Sequence, residues 1–169
     1  MKKIILSLII FGLFQLSYSQ KKELKTIDKH IKAGEYESAL NTINSIKSLV
    51  DAADDKTKAK YYYLKGMARY QNGNGSFDNK ILSIKDFNEA KKIEKSGTKI
   101  YTAKIDNIFT DLFNSFINDS RTELEVKNYK NSYLNLEAAY NVSNKDTENR
   151  LGKMDCLLYT SPSPRDALE

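Results

Sequence analysis

Gly34-Glu35-Tyr36-Glu37-Ser38-Ala39-Leu40 is the stretch around which the rest of the chain organises. Before it, Leu24, Ile27 and Ile31 recur at helical spacing. Gly34 then falls where that helix should end, because glycine takes the left-handed cap conformation without a Cβ penalty. After it, Ala39, Ile43, Ile46 and Val50 form a second buried stripe, which Leu40 and Leu49 widen. The stretch therefore reads as a tight turn between two amphipathic helices.

Downstream the same grammar continues. Asp51 to Thr57 is a polar connection with Asp54 or Asp55 placed to cap a following helix. Ala59 to Gln71 carries Tyr61, Tyr62, Tyr63, Leu64, Met67, Ala68 and Tyr70, so dense an apolar load that neighbours must cover it on more than one side. Asn72-Gly73-Asn74-Gly75-Ser76 is a turn and not a phosphate cradle: a P-loop needs a preceding buried strand and a Lys plus a hydroxyl residue after its glycines, whereas Phe77 follows here. Helices are predicted over Ile81 to Lys95, from Thr98 towards Val126 with a kink or break at Asn118-Asp119-Ser120, and over Tyr129 to Tyr140, with Thr147 opening a last one. No segment alternates apolar and polar residues with period two for long enough to argue a strand. The fold class is all-α.

Three segments share one buried pattern: Ala39, Ile43 and Ile46; Ser83, Ile84, Phe87 and Ala90; Ser132, Leu136 and Ala139. The first and third also share a preceding turn and aromatic, Gly34-Glu35-Tyr36 and Lys127-Asn128-Tyr129. In the second, Tyr62-Tyr63 precedes Gly66, Ala68, Tyr70 and the turn at Gly73. Here Gly66 and Ala68 leave room for a facing helix, and Tyr62 is expected to fill the gap beside them. This pattern resembles the tetratricopeptide repeat (TPR), and the resemblance implies antiparallel helix pairs stacked as an α-solenoid, about three pairs plus the start of a fourth. Two departures stand out: the small residues recur at intervals of 44 and 49 instead of about 34, and Lys127 occupies the place of the turn glycine.

The ends read differently from the body. Lys2 and Lys3 lead an apolar run, Ile4 to Leu16, followed by Ser17 and Ser19, the pattern of a signal peptide over residues 1–19 with cleavage before Gln20. Export to the periplasm or secretion is expected, with no stable membrane anchor after cleavage, since 13 residues would span only about 20 Å as a helix. Cys156 to Asp166 resembles, in every codon, the conceptual translation of a transposase-type sequencing adapter. Residues 156–169 are therefore read as a non-native tail, and the native reading as ending near Asp155 with its C-terminus missing. Residues 20–155 hold no Pro and no Cys, and carry 24 basic and 20 acidic residues, a net charge of +4. These charges are interleaved, which suits solvated helix faces and argues against nucleic acid as a partner.

Chemistry is sparse. His30 is the only histidine, which excludes multi-His metal sites, and it is expected on a surface-leaning face. Asp51, Asp54 and Asp55 lack the alternating ligand loop of a calcium site and read as caps. No metal, cofactor or catalytic residue is expected. The candidate binding residues are Tyr63, Met67 and Tyr70, at i, i+4 and i+7 on one face. In the resembled family that face lines a concave groove, whose carboxylate-clamping Lys and Asn are here replaced by Tyr63 and Met67. The function expected is a non-enzymatic protein–protein interaction scaffold of the cell envelope or exported space, binding a protein or peptide. The alternatives are the N-terminal adaptor of a larger enzyme or transport component, and a glycan binder using the tyrosines as stacking platforms. No feature of the sequence sets an oligomeric state.

Overall fold

The computed structural model describes residues 20–95, 97 and 99–143. The N-terminal apolar run, the helix expected from Thr147 and the Pro/Ser tail lie outside the described residues. Those described form seven α-helices and no strand: α1 (20–32), α2 (Tyr36–Ser45), α3 (Lys47–Asp51), α4 (Asp55–Gln71), α5 (Phe77–Glu94), α6 (Thr102–Glu125) and α7 (Tyr129–Val142). The chain divides within α6 into two compact units, one ending at Ile105 and the other beginning at Asp106.

In the first unit, α1 ends in a Schellman motif. Gly34 has φ +77°, its amide donates to the Ile31 carbonyl (3.1 Å), and the Glu35 amide donates to His30 (2.8 Å). His30 is half-buried, and its Nδ1 meets the Glu35 carboxylate across the same turn. Helix α2 then runs back along α1. The predicted second helix is interrupted at Ile46, whose φ of −99° and ψ of 3° leave the helical range, so the stripe Ala39, Ile43, Ile46, Val50 is divided between α2 and α3 yet stays buried. The core collects Leu24, Ile27 and Ile31 from α1, those four residues, and Tyr61, Leu64 and Ala68 from α4.

Asp54 is the α4 cap, accepting from the Thr57 amide (2.8 Å) and hydroxyl (3.0 Å). The Thr57 amide bond holds its carboxyl below the ordinary aspartate range. Helix α4 packs antiparallel to α5 through a 3-10 turn at Asn72–Gly75, and α5 begins at Phe77, four residues before its predicted start. At their closest approach Gly66 faces Phe87: a Cβ on Gly66 would lie 2.6 Å from the fully buried ring. The filler beside the small residues is thus Phe87, not Tyr62. Tyr61 is the buried tyrosine, 2% exposed, and its hydroxyl donates to the Ile43 carbonyl (3.3 Å). Burial, with Tyr62, Asp86 and Asp51 nearby, pushes that hydroxyl up to about 12. Tyr62 is half-buried, edge-on to Tyr61.

In the second unit, Leu112, Phe113 and Phe116 of α6 and Ala138, Ala139 and Val142 of α7 are buried, and the Ser120 and Ser132 hydroxyls meet at 2.7 Å between the helices. Helix α6 runs through Asn118-Asp119-Ser120 without the predicted break. It ends in a second Schellman motif: Lys127 has φ 60°, its amide donates to Leu124 (2.9 Å), and the Asn128 amide donates to Glu123 (2.8 Å). Lys127 therefore adopts the conformation of Gly34. The small residues five positions later, Ala39 and Ser132, are both buried, as is Ser83.

Candidate functional site

Helices α1 and α4 lie side by side in the same sense. Their N-terminal halves border a cleft of about 460 Å³, with Lys21, Lys22 and Lys25 facing Lys56, Thr57 and Lys60. Their C-terminal halves border a groove of about 330 Å³, with Asp28 and Lys32 facing Tyr63, Met67 and Gln71, and with Tyr36 of α2 at its edge. The facing positions step by three or four residues along both helices, the spacing that keeps side chains on one face. Helix α2 is antiparallel to both, packed behind them.

The three predicted contact residues separate here. Tyr63 and Met67 line the groove together, half-buried against the first core. Tyr70 is half-buried and lies outside that lining. Tyr63 is also a packing residue: its ring stacks on Tyr101 (4.6 Å between centroids, 22° between planes) and tilts against Phe87 (6.2 Å). Burial, aided by Asp28, raises the Tyr63 hydroxyl above its ordinary value, and burial with Glu94 does the same for Tyr101. Both hydroxyls stay protonated through the physiological range, available to donate. One face of the Tyr63 ring is thus covered by Tyr101.

Two buried carboxylates escaped sequence reasoning. Glu94, 4% exposed, closes the N-terminus of α6 from eight residues upstream. It accepts from the amides of Ile100 (2.8 Å), Tyr101 (2.9 Å) and Thr102 (2.8 Å) and from the Thr102 hydroxyl (2.7 Å). Burial works to raise its pKa, but these hydrogen bonds outweigh it and hold the carboxyl below the ordinary glutamate range. This cap delays the helix to Thr102 instead of Thr98, and it seats Tyr101 against Tyr63. Asp86 of α5 takes Arg69 at 2.6 Å and Lys65 at 3.3 Å from α4. Burial raises its pKa despite both cations, which marks it as a costly interhelical tie, not a surface ornament. Neither signal is local in sequence.

Among the described residues no group of three or more His, Cys, Asp or Glu is placed to hold a metal ion, and no helix is long and apolar enough to cross a membrane. Glu94 and Asp86 are each engaged by donors of the fold itself. In comparisons with known families, curated proteins and solved structures, no match is found.

Proposed function

We propose that this protein is a non-enzymatic interaction scaffold, exported to the cell envelope or beyond, whose helix pairs stack as a divergent TPR-like solenoid and whose α1/α4 groove binds an extended peptide segment of a protein partner. The observation that carries the reading is the parallel alignment of α1 and α4, whose facing sides border first the lysine cleft and then the Tyr63/Met67 groove, with α2 antiparallel behind them. Stacked antiparallel pairs bring alternate helices onto one shared face in this way, which supports the solenoid reading. Further support comes from the Schellman turn at Gly34 and its recurrence at Lys127 before a buried small residue.

Met67 is the better probe of the groove, because it lines the surface without the ring stacking that engages Tyr63. Selection of peptides from a random display library against the full chain should yield binders that Met67→Ser weakens several-fold while the fold stays intact by circular dichroism. Binders indifferent to Met67→Ser would place recognition on another face.

A further inference from the structure

The cleft at the N-terminal halves of α1 and α4 is strongly charged. Lys21, Lys22 and Lys25 of α1 converge with Lys56 and Lys60 of α4 on the 460 Å³ cleft, while Lys32 in the adjoining groove is already paired with Asp28 at 2.6 Å. The one carboxylate lining the cleft among the described residues is Asp54; its oxygens accept from Thr57, and its single charge, which Lys21 feels, is set against five lysines. Among the described residues none of the five lysines forms an ion pair. Like charges gathered around a concavity repel one another and focus a positive potential there, which an incoming anion relieves.

Spacing narrows the anion. Lys21 and Lys25, like Lys56 and Lys60, are one turn apart, about 6 Å along the axis. In an extended peptide, side chains two residues apart project to one side at about 6.6 Å, so alternate carboxylates meet successive lysines. All five cations are lysines, flexible point charges suited to single carboxylate contacts and not to the planar bidentate pairing that arginine supplies. From Lys60 to Met67 is about 10 Å of helix rise, which about three to four extended residues cover, and the even spacing of four keeps the apolar side chain on the same side of the peptide as the carboxylates. The apolar surface at Met67 has a use for a peptide side chain and none for a polyphosphate.

Resting on the groove reading above, we infer that the partner presents an acidic segment: two carboxylates two residues apart on the α1/α4 lysines, and an apolar side chain about four residues away against Tyr63 and Met67. The test is fluorescence anisotropy on the full chain at low ionic strength. The probe is a labelled peptide with two glutamates two apart, a leucine four residues beyond, and serine and glycine elsewhere. Saturable binding should weaken about tenfold or more in Lys56→Glu/Lys60→Glu and in Lys21→Glu/Lys25→Glu. The pair Lys29→Glu/Lys47→Glu, an equal charge change at exposed positions outside the cleft, should have much less effect. Circular dichroism confirms that each variant is folded.

Glutamine in place of both glutamates should weaken the probe as much as the lysine changes do. If the glutamine probe binds equally and still depends on Met67, the acidic inference falls and the groove reading survives. If the lysine changes abolish binding while the leucine and Met67 are immaterial, acid recognition stands and the apolar groove drops out of it. Tighter capture of inorganic polyphosphate or phosphatidylglycerol vesicles, an equal loss in Lys29→Glu/Lys47→Glu, or no saturable binding at all overturns the proposal.

Discussion

Gly66→Ala pits two opposed effects of similar size against each other at the α4–α5 contact. In an exposed helix interior the change would stabilise by about 0.8–1 kcal/mol, since alanine loses less backbone entropy. At this position the new methyl would sit 2.6 Å from Cδ1 and Cε1 of Phe87 and 3.0 Å from Cζ. The ring cannot swing aside, because it is fully buried and packed against Tyr63. Overpacking of a filled core costs about 1–3 kcal/mol, so the net expectation is a loss of about 1 kcal/mol, with a fall in melting temperature of about 4–8 °C for a unit of this size. Urea and thermal denaturation followed by circular dichroism at pH 7 measure it. The companion variant Phe87→Leu removes the clash, so Gly66→Ala should be less harmful in that background than in the wild type, with a coupling of about 0.5 kcal/mol or more. A Gly66→Ala protein as stable as the wild type or more so, with no coupling to position 87, would mean that α4 and α5 do not approach at Gly66.

Three further outcomes follow from named contacts. Glu94→Ala should cost about 2 kcal/mol, the scale of losing a strong cap with charge-assisted hydrogen bonds. Because its folded pKa is depressed, that contribution is fully present above the ordinary glutamate value of about 4.3. It is lost as pH falls through the lower folded value, so wild type and variant should converge in denaturation series run into acid, and a gap unchanged at the lowest pH would refute the assignment. Lys127→Gly should gain about 0.5–1 kcal/mol by relieving a left-handed backbone at a side-chain-bearing residue; a loss on chemical denaturation would contradict the turn geometry. Asp86→Ala should cost about 2–3 kcal/mol by stranding Lys65 and Arg69, and an unchanged urea midpoint would show that the ion network ties nothing.

Helices and buried stripes were legible because they depend on near neighbours in sequence: Leu24, Ile27 and Ile31 declare a face, Gly34 declares an end, and Asp54 declares a start. What escaped depended on partners far along the chain. Three consecutive tyrosines cannot phase a helix by themselves; Tyr61 goes inward because it shares a face with Leu64 and Ala68, and the space beside Gly66 was already filled by Phe87. The start of α6 shifted because its cap, Glu94, belongs to the preceding helix. The turn at Lys127-Asn128 was legible from its alignment with Gly34-Glu35, but not its left-handed lysine, which leaves no compositional trace. Of the contact residues, Tyr63 and Met67 share the groove as their spacing required, while Tyr70 falls outside its lining. The lysine cleft could not be seen among 24 interleaved basic residues, because only the side-by-side alignment of α1 and α4 brings those five together.

The central claim, that the α1/α4 groove is the binding surface, is tested most directly by titrating the glutamate–leucine peptide into isotopically labelled protein and following its NMR spectra. Progressive, saturable shifts should appear at Lys21, Lys25, Lys56 and Lys60 and at the Met67 methyl, with the exposed Tyr133 and Tyr140 of α7 unmoved. Shifts confined to α7, or spread thinly over lysines on every face with Met67 silent, would contradict the account.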